Sequence, residues 1–325
     1  VNRDELRPGR LLAVGETMAV VTPTAGAVVD AELFHVDAGG AESNVAAHLS
    51  ALGHRAAWFS RLGDDALGRR ILRQLRARGV DVAAVGLDAG RPTGLYVKDP
   101  GNGVRYYRAG SAAAGLSLDD AGTVGLDGVS VLHVSGITAA ISSSARGFLV
   151  ALMERAHRAG VLVSFDVNHR PALWGVAEAG TVLADLARRA DLVLVGRDEA
   201  ETLWSTGTAA QVRARFPDVP ELVVKDGDVG ATAFVGGEEW FVPSLQVEVV
   251  DVVGAGDAFA AGYLGALLDG VAPAECLRAG HERAAVTIRT VGDSVDDLVT
   301  DPLGGPLSER PARPRRVEHP ATGGP

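Results

Sequence analysis

A chain of 325 residues, 47% of them hydrophobic, is long enough to bury one large α/β core or two smaller ones. The formal net charge of -10 argues against non-specific binding to nucleic acid or to an anionic membrane, so a small anionic ligand would need arginines of its own. No signal-peptide pattern and no uncharged stretch near the ~20 residues of a membrane span is found, which makes the cytoplasm the expected location. The one cysteine, Cys276, cannot form an internal disulfide and falls in an apolar helical pattern, the reading of a core residue.

In chain order, Leu11 to Val14 reads as an apolar strand running into Gly15-Glu16, and a second extended stretch reaches Pro23. Residues 24–40 are short, mixed and turn-rich. Helical spacing covers Ala41 to Leu52 with Gly53 as its stop, then come a strand from Ala56 to Arg61 and a helix from Ala66 to Arg78 closed by Gly79. Two β-like runs, Thr93 to Lys98 and Val104 to Arg108, are joined by Asp99-Pro100-Gly101-Asn102-Gly103, hairpin chemistry that interrupts the alternation. The alternation resumes with strand Val129 to Val134, helix Ser143 to Ala159, strand Val161 to Asp166, helix Thr181 to Arg189, strand Leu192 to Val195 and helix Asp198 to Trp204. Glu221 to Lys225, Ala231 to Val235 and Glu239 to Val242 read as a strand and a hairpin, and helices Asp257 to Leu268 and Pro273 to Ile288 follow. Residues 301–325 are rich in Pro, Gly and Arg without apolar periodicity, which predicts a disordered tail. Strands alternating with helices predict parallel crossovers and a doubly wound α/β sheet, whose ligands sit beyond the carboxyl ends of the strands. Asp166, Lys225 and the glycines after Asp251 each follow a strand, so all three can face one crevice.

The run Asp251-Val252-Val253-Gly254-Ala255-Gly256-Asp257-Ala258-Phe259-Ala260-Ala261-Gly262 sets a glycine turn and a carboxylate at the start of an apolar helix. Consecutive amides in such a turn, with the positive end of the helix dipole behind them, suit a phosphoryl group. Asp257 would repel phosphate, so it either accepts a proton from an attacking hydroxyl or is only the acid of a helix start. There is no Gly-x-x-x-x-Gly-Lys-Ser/Thr run, Phe259 occupies the third small position of a dinucleotide fingerprint, and His281-Glu282 lacks the second histidine of a zinc protease. What remains besides the turn is Lys225-Asp226-Gly227-Asp228-Val229-Gly230, whose lysine is one of two in the chain, and two further clusters. Asp37-Ala38-Gly39-Gly40-Ala41-Glu42-Ser43-Asn44 either ends a strand or exposes backbone donors and an amide to a polyhydroxylated ligand. In Arg105-Tyr106-Tyr107-Arg108, alternation puts Tyr106 and Arg108 on one face of the hairpin. Arg108, with Arg170 of Asp166-Val167-Asn168-His169-Arg170, suits a substrate carboxylate; each is otherwise part of a solvated face.

Taken together, these clusters resemble the PfkB (ribokinase-like) carbohydrate kinases from about residue 11 to residue 300. Thr93-Gly94-Leu95-Tyr96, Tyr106-Tyr107-Arg108-Ala109-Gly110-Ser111-Ala112 and His133-Val134-Ser135-Gly136-Ile137-Thr138 add to the likeness, and the tyrosine-arginine and Asn-His-Arg motifs are similar to the branch acting on keto-deoxy sugar acids. The resemblance implies a kinase domain over residues 1–300, with a ribokinase-like, mainly parallel sheet and a small β-sheet lid from parts of 16–40 and 91–110. It implies Asp257 as catalytic base and the amides of Gly254, Ala255, Gly256 and Asp257 as the hole for developing charge. It puts Lys225, Asp226, Gly227, Gly230, Ala231 and His281 along ATP, though His281 also reads as a plain helix residue. Around a small sugar acid it sets Gly39, Gly40, Asn44, Tyr96, Tyr106, Arg108, Ile137, Arg170 and Asp293. Mg²⁺ is implied as well, its bound water organised by Glu199. Many members carry Asn-x-x-Glu where this chain has Gly196-Arg197-Asp198-Glu199. The implied activity is ATP-dependent phosphorylation of the 6-hydroxyl of 2-keto-3-deoxy-D-gluconate in a homo-oligomeric enzyme. The alternatives are a kinase of a neutral ketose or 5-keto-2-deoxygluconate, and a non-catalytic sugar-acid sensor.

Overall fold

The computed structural model describes residues 3, 6, 8–289 and 315–316. Its strands are β1 (Arg10–Val14), β2 (Met18–Pro23), β3 (Phe34–Gly39), β4 (Ala56–Phe59), β5 (Arg61–Gly63), β6 (Gly86–Asp88), β7 (Leu95–Asp99), β8 (Gly103–Tyr107), β9 (Val129–Ser135), β10 (Leu162–Asp166), β11 (Leu192–Gly196), β12 (Glu221–Asp226), β13 (Gly230–Val235), β14 (Glu238–Pro243) and β15 (Arg315–Arg316). The helices are α1 (Ala41–Ala51), α2 (Ala66–Ala77), α3 (Leu118–Thr123), α4 (Gly136–Ile141), α5 (Ser143–Arg158), α6 (Val176–Arg188), α7 (Arg197–Trp204), α8 (Ala209–Arg215), α9 (Ala255–Leu268) and α10 (Pro273–Thr287).

The central sheet runs β15-β14-β13-β12-β11-β10-β9-β1-β4. The strands from β4 to β12 pair in parallel, and β13, β14 and β15 are added antiparallel. Its parallel strands are near-continuous apolar runs because both faces are covered. Side-chain alternation divides them between two cores: Leu12, Val14, Leu132, Val134, Val163, Phe165, Val193 and Val195 meet α5 to α8. Leu11, Ala13, Val131, Leu162, Leu192, Leu194 and Val223 meet α1, α2, α9 and α10 on the other face. Cys276 is buried in the second core. A separate four-stranded sheet, β3-β2-β7-β8, carries the hairpin read at residues 93–108.

Several elements depart from the sequence reading. Residues 24–40, read as turn-rich, hold β3, a short alternating run that ends at the Gly39-Gly40 pair and pairs antiparallel with β2. Helix α6 begins at Val176 and not Thr181, since its exposed first turn carries no apolar stripe. Helices α3, α4 and α8 were not anticipated and are too short for a period to register. Within the tail expected to be disordered, residues 315–316 form β15 on the otherwise open edge of β14. The rest of 301–325, and Asp293, lie outside the described residues.

Gly262, which ends the motif begun at Asp251, is fixed by packing. A Cβ there would come within 2.8 Å of the Ala279 carbonyl carbon, so α9 and α10 could not keep their separation. Gly262→Ala is expected to cost about 1–3 kcal/mol of stability by overpacking, measured as a lowered urea midpoint with an unchanged slope.

Candidate active site

Beyond the carboxyl ends of β10, β11 and β12, against the N-terminus of α9, lies a crevice of about 640 Å³. It is lined by the strand-end residues Asp166, Gly196 and Lys225, by Asn168, His169 and Arg170 from the loop after β10, by Glu199 from the first turn of α7, and by the whole turn Gly254 to Asp257. This is where an open parallel sheet binds its ligands.

The turn is formed by Gly254, whose φ of 81° lies in the left-handed region that only glycine adopts freely. It is the N-cap of α9. Of the amides expected to form the hole, that of Ala255 is used locally, closing a turn onto the Val252 carbonyl at 3.2 Å. The amides of Gly256 and Asp257, in the first helical turn, and that of the N-cap Gly254 have no such local use. Lys225 Nζ lies 3.8 Å from where a Cβ of Gly256 would stand, so an ammonium adjoins the turn.

That ammonium donates to Asp166 Oδ2 at 3.0 Å. Burial works to lower the Lys225 pKa, but the carboxylates of Asp166 and Glu199 outweigh it and the net shift is upward. Asp257 is half-buried and accepts from Asn44 Nδ2 at 2.9 Å. Burial, with Asp166 adding to it, pushes its carboxyl up to about 7, against the opposing pull of Asn44, Arg170 and Lys225. A carboxylate poised there can take a proton from a hydroxyl near neutral pH. Glu199 is also raised, chiefly by burial and then by Asp166.

Of the residues expected along a nucleotide, Lys225, Gly227, Gly230 and His281 line the crevice. His281 donates from Nε2 to the Val242 carbonyl at 3.1 Å and meets the Phe259 ring edge-on. Burial lowers its pKa, so it is neutral. Asp226 and Ala231 do not reach the crevice. Asp226 accepts from Arg197 Nε at 2.6 Å, and Ala231, 1% exposed, belongs to the core, because alternation along the β12–β13 hairpin turns it inward.

Of the expected substrate residues, Arg170 opens onto the crevice, and Asn44 joins it through Asp257. The other described ones follow. Gly39 packs against the Tyr96 hydroxyl and Gly40 against the Glu16 carbonyl, both too close for a Cβ. The Tyr96 and Tyr106 rings lie 5.5 Å apart, and the Arg108 guanidinium sits 5.6 Å from the Tyr106 ring centroid, as the alternation of β8 predicts. Ile137 stands in the first turn of α4, its amide donating to Ser135 Oγ at 3.2 Å.

Two buried acids carry more than the sequence indicated. Glu16, in the segment joining β1 to β2, forms an ion pair with Arg108 and accepts from Ser111 Oγ at 2.9 Å. Arg108 Nε is buried without a hydrogen-bond partner among the described residues. Glu42, fully buried in α1, accepts from Ser135 Oγ at 2.7 Å and Thr138 Oγ1 at 3.1 Å, and burial pushes it up to about 7. Glu16 follows the first strand and Glu42 lies inside the double-glycine cluster, but neither position marks a partner 92 or 93 residues away.

A mainly parallel sheet with a small second sheet, and at its strand ends a glycine turn, a raised carboxylate and an ammonium, defines a ribokinase-like phosphotransferase with an alcohol acceptor. The chain belongs to the PfkB family of carbohydrate kinases: the model of the pfkB family carbohydrate kinases matches residues 9–300. It is 35% identical over 296 residues to the 2-dehydro-3-deoxygluconokinase of Bacillus subtilis (strain 168), covering 88% of this chain and 91% of the relative. It is 33% identical over 293 residues to the 2-dehydro-3-deoxygalactonokinase of Haloferax volcanii, covering 87% and 92%. The crystal structure of a PfkB protein from Polaromonas sp. JS666 superposes with a TM-score of 0.81 at 33% identity, over 87% of this chain and 97% of that one.

With the Asp257 carboxyl near 7, a reaction that needs its ionised form should lose kcat/KM about tenfold per unit as pH drops below about 7 and level off above it. Asn44→Ala removes a hydrogen bond that favours the charged carboxylate, so its acid limb should move to higher pH. A wild-type limb at pH ~4, the ordinary carboxylate value, would overturn this assignment of the base.

Proposed function

We propose that this kinase transfers the γ-phosphoryl group of ATP to the 6-hydroxyl of 2-keto-3-deoxy-D-gluconate, giving the 6-phosphate and ADP. The observation that carries the reading is the half-buried Asp257 carboxylate, held by Asn44 in the first turn of the helix that Gly254 opens. Attack forms the bond from the sugar oxygen to phosphorus, the bond to the β,γ-bridging oxygen breaks, and the hydroxyl proton passes to Asp257. Charge on the transferred group falls to the amides of Gly256 and Asp257 and to the Lys225 ammonium beside them. The small sheet acts as a lid that excludes water, the competing acceptor.

The crevice gathers Asp166, Glu199 and Asp257 around Lys225, with Arg170 as a second cation, so a nucleoside triphosphate brings more negative charge than these two offset. Asp166 Oδ1 is buried without a partner among the described residues, an acceptor suited to a water of a hydrated divalent cation such as Mg²⁺. Asp166 and, through water, Glu199 would hold that ion, whose chemistry is to neutralise phosphate charge. Arg170 supports an acid as the acceptor, since a guanidinium at the crevice matches a carboxylate. The similarity to relatives named for 2-dehydro-3-deoxy sugar acids supports the same reading.

One observation favours a neutral ketose as a second reading: Arg108 already has a carboxylate partner in Glu16. An ADP-release assay across sugar acids and neutral sugars separates the two. Asp257→Asn should lower turnover by roughly 10²-fold or more with little change in ATP binding, as expected of a general base. Turnover near that of the wild type would remove Asp257 from this role. Arg170→Ala should raise KM for the acid roughly tenfold or more while leaving neutral sugars unaffected. An unchanged KM for the acid would move the reading to the ketose.

A further inference from the structure

Glu199 stands third in α7, where a carboxylate often folds back to cap its own helix. Its Oε2 does so, accepting from the Gly196 amide at 2.8 Å. Oε1 leaves the element and accepts from the His169 amide, also at 2.8 Å, 30 residues away in the loop after β10. One carboxylate therefore ties the loop after β10 to the junction of α7 with β11, the adjacent parallel strand. A Cβ on residue 196 would lie 3.1 Å from Oε2, so Gly196 leaves this fold-back uncrowded.

The loop being tied is a strained one. Asn168 has φ 41°, in the left-handed region, and the other non-glycine residue with positive φ among those described, Ser205, is accounted for as the C-cap of α7. Asn168 ends no helix, and a residue so placed persists only where its surroundings hold it. The residue just after it, His169, is held on both sides: its amide donates to Glu199, and its carbonyl accepts from Arg170 Nη1 at 3.2 Å. Two hydrogen bonds through one residue connect the Glu199 carboxylate to the guanidinium that opens onto the crevice.

We propose that Glu199 is a positioning residue for the Asn168–Arg170 turn, setting sugar-acid affinity through Arg170 in addition to any part it takes in organising the metal's water. The proposal rests on the reading that Arg170 receives the acid. Glu199→Gln keeps the size and one acceptor but sets an NH₂ against the second amide, so it should raise KM for the acid about tenfold. In an Arg170→Ala background the same substitution should alter KM less than about twofold, because the two act as one unit. Amide hydrogen exchange over residues 167–171 of the unliganded protein should be faster in Glu199→Gln than in the wild type.

A tenfold or larger shift in the Mg²⁺ requirement with KM unchanged would overturn the proposal, as would equal effects of Glu199→Gln in both backgrounds. Unchanged exchange over 167–171 would overturn it without reference to any substrate. If the wild type releases no ADP with any sugar acid, the substrate reading fails instead, and the exchange measurement still decides whether Glu199 holds the turn.

Discussion

The ion pair between Lys225 and Asp166 is the contact on which the rest of the site depends. Three carboxylates, Asp166, Glu199 and Asp257, are brought to the ends of neighbouring strands and the start of one helix, in surroundings that disfavour charge. Burial and the neighbouring Asp166 charge favour the protonated forms of Glu199 and Asp257, and a cation among them opposes that. The single ammonium is close enough to influence all three, and at Asp257 it opposes the burial and the Asp166 charge that push the carboxyl up to about 7. In a chain where arginine supplies nearly all the positive charge, a lysine here is a compact point charge on a flexible stem, with no planar fork to satisfy.

The backbone around this pair is shaped for close approach. Gly254 reverses the chain so that α9 points its free amides at the crevice, and Gly262 on the same helix lets α10 pack directly against it. The two glycines serve one end: the first aims the helix N-terminus, and the second fixes the helix in place. Asn44 reaches Asp257 from α1, whose residues pack in the same core as those of α9, so the Asp257 carboxylate is also held from a helix distant in the chain.

A second charged contact governs how the small sheet meets the large one. Glu16 lies where the chain leaves β1 for β2, and Arg108 and Ser111 where it returns after β8, so their contacts join an outgoing and a returning crossing. Both side chains of the ion pair are largely buried, and removing either would leave an uncompensated charge. The same arginine is the one that the sequence suggested for the substrate, so its availability to an acid is tied to this junction.

The order of strands and helices, the hairpin at 93–108, the two-sided burial of the central strands and the glycine turn ahead of Asp257 were legible in the sequence, because each follows from local propensity or from side-chain period. The same locality explains what was missed. Strand β3 is a six-residue run set among turn residues, and short helices such as α4 carry too few residues to show a period. Ala231 and Asp226 sat beside legible neighbours, yet strand alternation sent one to the core and an arginine claimed the other. What only the tertiary structure decided is which charge meets which: Lys225 with Asp166 over 59 residues, Arg108 with Glu16 over 92, Asn44 with Asp257 over 213. A sequence fixes the type of a side chain and the local path of its backbone. The partner of a buried charge is chosen by the packing of elements distant in the chain, and that packing sets the electrostatics on which the chemistry rests.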